Sequence, residues 1–249
     1  MHMPGEGQVA PTSTVLPQAS WDRLAQRRVY FGHQSVGYNI LDGVADILRV
    51  QPFVRLRVVE SMAPRPAEGP ALVHSQVGRN CDPGSKMQSF ADQVRSGTGS
   101  WADVAFFKFC YADIEAGSDI DAIGREYERT MDGLAREFPA LQLLHVTVPL
   151  RSPANVARRV VKWVLGRTSS DQADNRQREA FNAWLRARYA REGSLLDLAR
   201  IEATRPDGTL VEGGTALYGG YTSDRSHLNE AGRVVVAGAF LRFLADEAA

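Results

Sequence analysis

The sequence predicts a three-layer α/β/α domain built on a five-stranded, mainly parallel sheet. Three observations carry this expectation. Short apolar runs bounded by turn residues alternate with longer segments of helical periodicity, the pattern of parallel strands joined by covering helices. The run Val104–Phe109 (VAFFKF) is apolar except for Lys108, as suits a central strand buried on both faces. The chain has 249 residues, 44% hydrophobic and 23% charged, enough for one large core.

The elements follow in order. Residues 1–20 are rich in Pro, Gly, Ser and Thr and read as a flexible polar leader, with residues 21–249 as one domain. Arg28–Phe31 is a short buried strand that runs through Gly32-His33-Gln34-Ser35 into a helix. Ile40, Leu41, Val44, Ile47 and Leu48 share one face of that helix. In Phe53–Val59, Val54, Leu56 and Val58 alternate with Arg55 and Arg57, which predicts a half-solvated strand at the sheet edge. Residues 61–82 carry three prolines and two glycines and read as loop. Asp82-Pro83 caps the next helix, whose stripe is Met87, Phe90 and Val94. Ser118 and Asp121 resemble a capping box for a helix that Pro139 stops. Leu141–Val148 is the fourth strand and Ser194–Leu198 the fifth. Helices are expected over Ala154–Leu165, Ala173–Ala190 and roughly Asn229–Ala245.

Composition excludes several classes. Lys+Arg and Asp+Glu both total 29, for a formal net charge of zero, so there is no basic excess for a nucleic acid partner. No apolar run approaches the roughly 18–20 residues of a membrane span. The first 20 residues lack a basic start and an apolar stretch, so no signal peptide is expected. A polar leader is also what removal of a signal peptide would leave, so the compartment stays open, secreted or periplasmic included. Cys81 and Cys110 allow at most one disulfide, and unpaired thiols are the simpler expectation. The oligomeric state is not legible.

In a parallel α/β sheet the functional site lies at the carboxyl ends of the strands. Ser35 sits there, where the first strand turns into a helix and helix N-terminal amides favour developing negative charge. Serine is also a common helix cap. Asp224 and His227, three residues apart before the last helix, can join carboxylate to imidazole Nδ1 and leave Nε2 to activate a serine hydroxyl.

Together, in this order on this alternation, the two motifs resemble the SGNH/GDSL hydrolase family from about Arg28 to Leu244. The late segment Asp224–Gly232 matches the family's D-x-x-H-L-N-x-x-G motif. The early motif departs from it, with Gly32-His33-Gln34-Ser35 where the family has Gly-Asp-Ser. The resemblance implies a flavodoxin-like fold with strand order 2-1-3-4-5 and a Ser35–His227–Asp224 triad acting through an acyl-enzyme. It also implies an oxyanion hole made by the Ser35 amide, a glycine amide and an Asn side chain. Gly78 is the candidate glycine. The family's Gly-x-Asn-Asp is Cys110-Tyr111-Ala112-Asp113 here, so Ala112 stands where the Asn would be, and Asn80 is the candidate substitute donor. An ordinary turn role for Gly78 and Asn80 stays open. The implied substrates are small-molecule or glycan esters, carbohydrate O-acetyl groups in particular.

His33 could contact substrate or hold the loop. Lys108, inside an apolar strand, needs a partner; Asp113 or Asp224 could serve, or the residue could snorkel at an edge. Asp113 is expected to order loops. His33, His74, His145, His227, Cys81, Cys110, Asp113 and Asp224 could offer metal ligands, but none shows metal-site spacing, so no metal or cofactor is expected. The inserted segment 151–167 could be a lid, a membrane-surface helix or a packed helix. Two other functions stay open: a non-catalytic carbohydrate-binding module on the same fold, and metal-assisted hydrolysis in the same cleft.

Overall fold

The computed structural model describes residues 16–63, 67–153, 170–190 and 193–246. Helix α1 (Gln18–Ala25) leads into strand β1 (Arg28–His33) and helix α2 (Ser35–Arg49). Strands β2 (Val58–Glu60) and β3 (Ala71–Gln76) precede helix α3 (Pro83–Gln93). Strand β4 (Val104–Phe107) is followed by helix α4 (Ile120–Glu137) and strands β5 (Gln142–Leu143) and β6 (His145–Val146). Helix α5 (Ser170–Tyr189), strand β7 (Leu195–Leu196), helix α6 (Leu198–Ala203) and helix α7 (Glu230–Asp246) complete the order.

The sheet runs β2-β3-β1-β4-β5, with every pairing parallel. At Leu144 the chain changes neighbours: Leu144 N–H donates to Ala105 O and His145 N–H to Ser194 O. The parallel β6–β7 pair continues from there.

Alternate side chains of the strands feed two cores. Val29, Phe31 and Phe106 pack with α1, α2 and α7 through Trp21, Val44 and Phe240. Tyr30, Ala105 and Phe107 pack with α3, α4 and α5 through Phe90, Tyr127 and Phe181. No described helix is long and apolar enough to cross a membrane.

The five-stranded parallel sheet agrees with the expectation, but one of its strands was misread. The strand on the far side of β1 from β4 is β3, inside the stretch expected to be loop. Only Ala71-Leu72-Val73 is apolar there, and the polar remainder hid the strand. That remainder is satisfied inside the fold: Ser75 Oγ bonds Tyr30 Oη at 2.7 Å and His74 bonds His33. The expected edge strand Phe53–Val59 shrinks to β2. Phe53 is 85% exposed, and the chain pairs only where it meets β3, from Val58 opposite Leu72 onward. Val54 and Leu56 still pack on the core, which explains their alternation without a ladder.

Smaller differences have local causes. Asp119, not Ser118, caps α4 by accepting from Ala122 N–H, while Ser118 Oγ accepts from Glu115 N–H. Helix α1 begins inside the expected leader because Leu16, Trp21 and Leu24 are buried. Most of that leader, and the expected 154–165 helix with its lid alternative, lie outside the described residues.

Candidate active site

Ser35 is the first residue of α2, directly beyond the carboxyl end of β1. Its neighbours β3 and β4 send their following loops to the same end of the sheet. The turn before α7 reaches this point. His227 Nε2 lies 3.1 Å from Ser35 Oγ, and His227 Nδ1 lies 2.7 Å from Asp224 Oδ2. Asp224 Oδ1 accepts from the backbone N–H of Ser226 and of His227, each at 2.8 Å. Burial raises the carboxyl's pKa, but these amides and the imidazole outweigh it and hold the group well below the usual carboxylate range. Asp224 is therefore ionised at neutral pH, as a ring-orienting acid must be.

The turn is built to stay in place. Arg225 adopts φ +77°, a left-handed conformation costing roughly 1 kcal/mol or more for a non-glycine residue. Its side chain compensates by donating to Asp171 Oδ2 at 2.6 Å and Ser152 O at 3.1 Å. Ser226 is held by Arg151 Nε at 3.0 Å. Leu228 is buried, and its N–H donates to Asn39 Oδ1 on α2. Asn229 accepts from Gly232 N–H at the start of α7. A Cβ on Gly232 would fall 2.4 Å from Tyr221 O, so only glycine lets α7 pack this close.

The loop after β3 supplies the other candidates. Gly78 has φ +57°, and a Cβ there would lie 2.5 Å from Lys86 N, so the position demands glycine on two grounds. Its N–H, like that of Ser35, meets no acceptor among the described residues. Asn80 is exposed, and its Oδ1 accepts from Lys86 Nζ at 2.9 Å. An ammonium only donates, so the Asn80 NH₂ faces the other way.

Asp113 and Lys86 form a fully buried pair at 2.5 Å. Asp113 also accepts from Cys110 N–H at 2.6 Å and Cys81 N–H at 2.9 Å, so it ties the loop after β3 to the turn after β4. Lys108 makes neither of its expected pairings. It is fully buried, its ammonium donates to Phe109 O at 3.3 Å, and it bonds neither Asp113 nor Asp224. Lys86 Nζ and the amides of Cys110 and Cys81 already occupy the Asp113 carboxylate. Lys108, just past the end of β4, lies 3.9 Å from Cys110 Sγ and within the fields of Lys86, Asp113 and Glu202. Burial lowers its pKa and pushes the Glu202 carboxyl up to about 8.

His33 is fully buried beneath the Ser35 turn, with Nδ1 2.9 Å from Gln34 O and Nε2 3.1 Å from His74 Nδ1. Burial, with Lys108 and His74 nearby, pushes its pKa down to about 3. A buried ring cannot contact substrate, so it holds the loop.

Lys86 and Tyr111 were not singled out from the sequence. Lys86 shares the buried stripe of α3 with Phe90, four residues on, and that was a usable signal. Tyr111 stands edge-on to the His227 ring at 5.9 Å, with the Arg151 guanidinium 5.6 Å from its centroid. No local pattern marks it. Ala112 lies in the short turn Tyr111–Asp113, with no side-chain donor. Among the described residues no group of three or more His, Cys, Asp or Glu converges as a metal site would.

No family model matches the sequence, and no curated protein matches it. Solved structures do match. One is a Streptococcus pneumonia protein provisionally described as a platelet activating factor. It has a TM-score of 0.51 and 13% identity, covering 90% of this chain and 89% of that one. Another is a Desulfitobacterium hafniense DCB-2 protein provisionally described as a lipolytic protein of the G-D-S-L family. It has a TM-score of 0.44 and 10% identity, covering 88% of this chain and 99% of that one. With the first of these structures the chain shares an α/β/α fold, a five-stranded parallel sheet covered by helices.

Proposed function

We propose that this chain is a serine esterase acting by two-step acyl transfer. The observation that carries the proposal is the relay from Ser35 Oγ to His227 Nε2 at 3.1 Å and from His227 Nδ1 to Asp224 at 2.7 Å. In the first step His227 takes the Ser35 proton as Oγ attacks the ester carbonyl. The amides of Ser35 and Gly78 receive the oxyanion, with the Asn80 NH₂ as a third donor in place of the side chain that Ala112 lacks. The carbonyl–alkoxy bond then breaks, and His227 returns its proton to the departing alcohol. In the second step water, deprotonated by His227, attacks the acyl-enzyme and releases the acid and Ser35. Asp224 orients the ring and stabilises the imidazolium throughout. Each donor contributes about 3–4 kcal/mol at the transition state. The family resemblance points to O-acetyl esters of carbohydrates as the substrate class.

Labelling with a fluorophosphonate tests this. The wild type and Ser226→Ala should be labelled, and Ser35→Ala should not. Deacetylation of acetylated oligosaccharides alongside p-nitrophenyl acetate tests the substrate class. An unlabelled wild type that binds carbohydrate without releasing acetate would favour the non-catalytic module instead.

A further inference from the structure

His33 and Gln34 are the residues by which the nucleophile motif departs from Gly-Asp-Ser, and their hydrogen bonds converge on two peptide groups. The first joins Gln34 to Ser35. Its carbonyl accepts from His33 Nδ1 at 2.9 Å and from Gly37 N–H at 2.8 Å. A carbonyl only accepts, so Nδ1 carries the hydrogen and the neutral ring offers Nε2 to His74 Nδ1–H, 3.1 Å away. Space for the ring is made at Gly37, where a Cβ would lie 2.2 Å from His33 Cγ. Tyr38 closes the ring off edge-on at 4.7 Å.

The second peptide group joins Val77 to Gly78. Gln34 Nε2 donates to Val77 O at 3.0 Å and to Gly78 O at 2.8 Å. Val77 N–H in turn donates to His33 O at 3.0 Å. One amide side chain thus clamps two successive carbonyls around the left-handed glycine.

In a trans peptide the C=O and N–H point in opposite directions, so fixing one fixes the other. The N–H groups opposite these two clamped carbonyls belong to Ser35 and Gly78. We propose that His33 and Gln34 are positioning residues that aim the Ser35 and Gly78 amides by holding the far carbonyl of each amide's own peptide group. This rests on the esterase proposal for what the amides receive, but the aiming itself is a property of the backbone. Preorganised donors are what make such a site effective, because no reorientation is needed as charge develops.

The test pairs backbone NMR with reactivity. Gln34→Met keeps the chain length and removes both donors. In the folded variant the Gly78 amide resonance should shift or broaden while those of α4 stay put. The rate of fluorophosphonate reaction at Ser35 should fall about 100-fold. For p-nitrophenyl acetate, kcat should fall while KM stays within about threefold. If Gln34→Met does not fold, the isosteric Gln34→Glu carries the same readouts. An unmoved Gly78 amide, or a wild-type rate in a folded variant, would overturn the proposal. A wild type that never reacts would instead sink the esterase proposal, and the amide shifts would still decide the positioning.

Discussion

Buried histidines make this fold sensitive to acid. His33 and His145 are both pushed from an ordinary 6.5 to about 3 by burial, so below pH 6.5 they stay neutral folded and take up a proton on unfolding. A depressed folded pKa means stability is lost as pH falls, by about 1.4 kcal/mol per pH unit for each such group. Glu202 works the other way. Raised to about 8, it holds a proton when folded that the unfolded chain releases above about 4.5, so it offsets about one histidine between pH 5 and 6.5. Urea melts should therefore show stability falling on acidification through that window. Glu202→Gln, which keeps an acceptor for Leu150 N–H, should steepen the fall by about one proton. An unchanged slope would show that Glu202 is already ionised when folded.

Among the elements, the α2–α7 contact sets the distance between the two halves of the site. Ser35 opens α2, and His227 lies three positions before the first residue of α7. The helices touch at Gly43, where a Cβ would lie 2.2 Å from Arg233 O. Arg233 also donates to Asp46 Oδ2 at 2.6 Å across the same seam. Gly43→Ala should force the helices apart at a cost of about 1–3 kcal/mol. Because small misplacements of reacting groups are costly, it should also lower esterase kcat by roughly tenfold or more, although Gly43 is remote from Ser35. Steady-state kinetics with a thermal melt checks both. Full activity in a destabilised variant would show that the turn holds His227 independently of α7.

Across the whole molecule the sheet order ranks the strands by protection. β1 has partners on both sides and sits between two cores, whereas β2 is a three-residue edge. Native-state hydrogen exchange should be slowest for the β1, β3 and β4 amides and fastest in β2. Slow exchange across residues 53–57 would contradict the short edge. The same order places Ser35 between the loops of β3 and β4, so residues from both flanks surround it.

The alternation of elements, Ser35 at a strand-to-helix turn, and the Asp224–His227 turn were legible in the sequence because each is local. Helical and strand periods span a few residues, and the Asp–His contact closes within four. The resemblance to the SGNH/GDSL pattern rested on those local motifs. What the sequence alone could not decide joins distant segments. Ser35 and His227 are 192 residues apart, and Gln34 clamps carbonyls 43 and 44 residues away. β3 looked like loop because its polar end finds its side-chain partners on β1 and α2. Lys108 looked like a partner of Asp113 because both fall near the expected site, but α3 brings Lys86 to that carboxylate instead. A side chain's own chemistry states what it needs. Only the packed sheet decides which distant group supplies it, because burial makes the need strict and topology limits the choice.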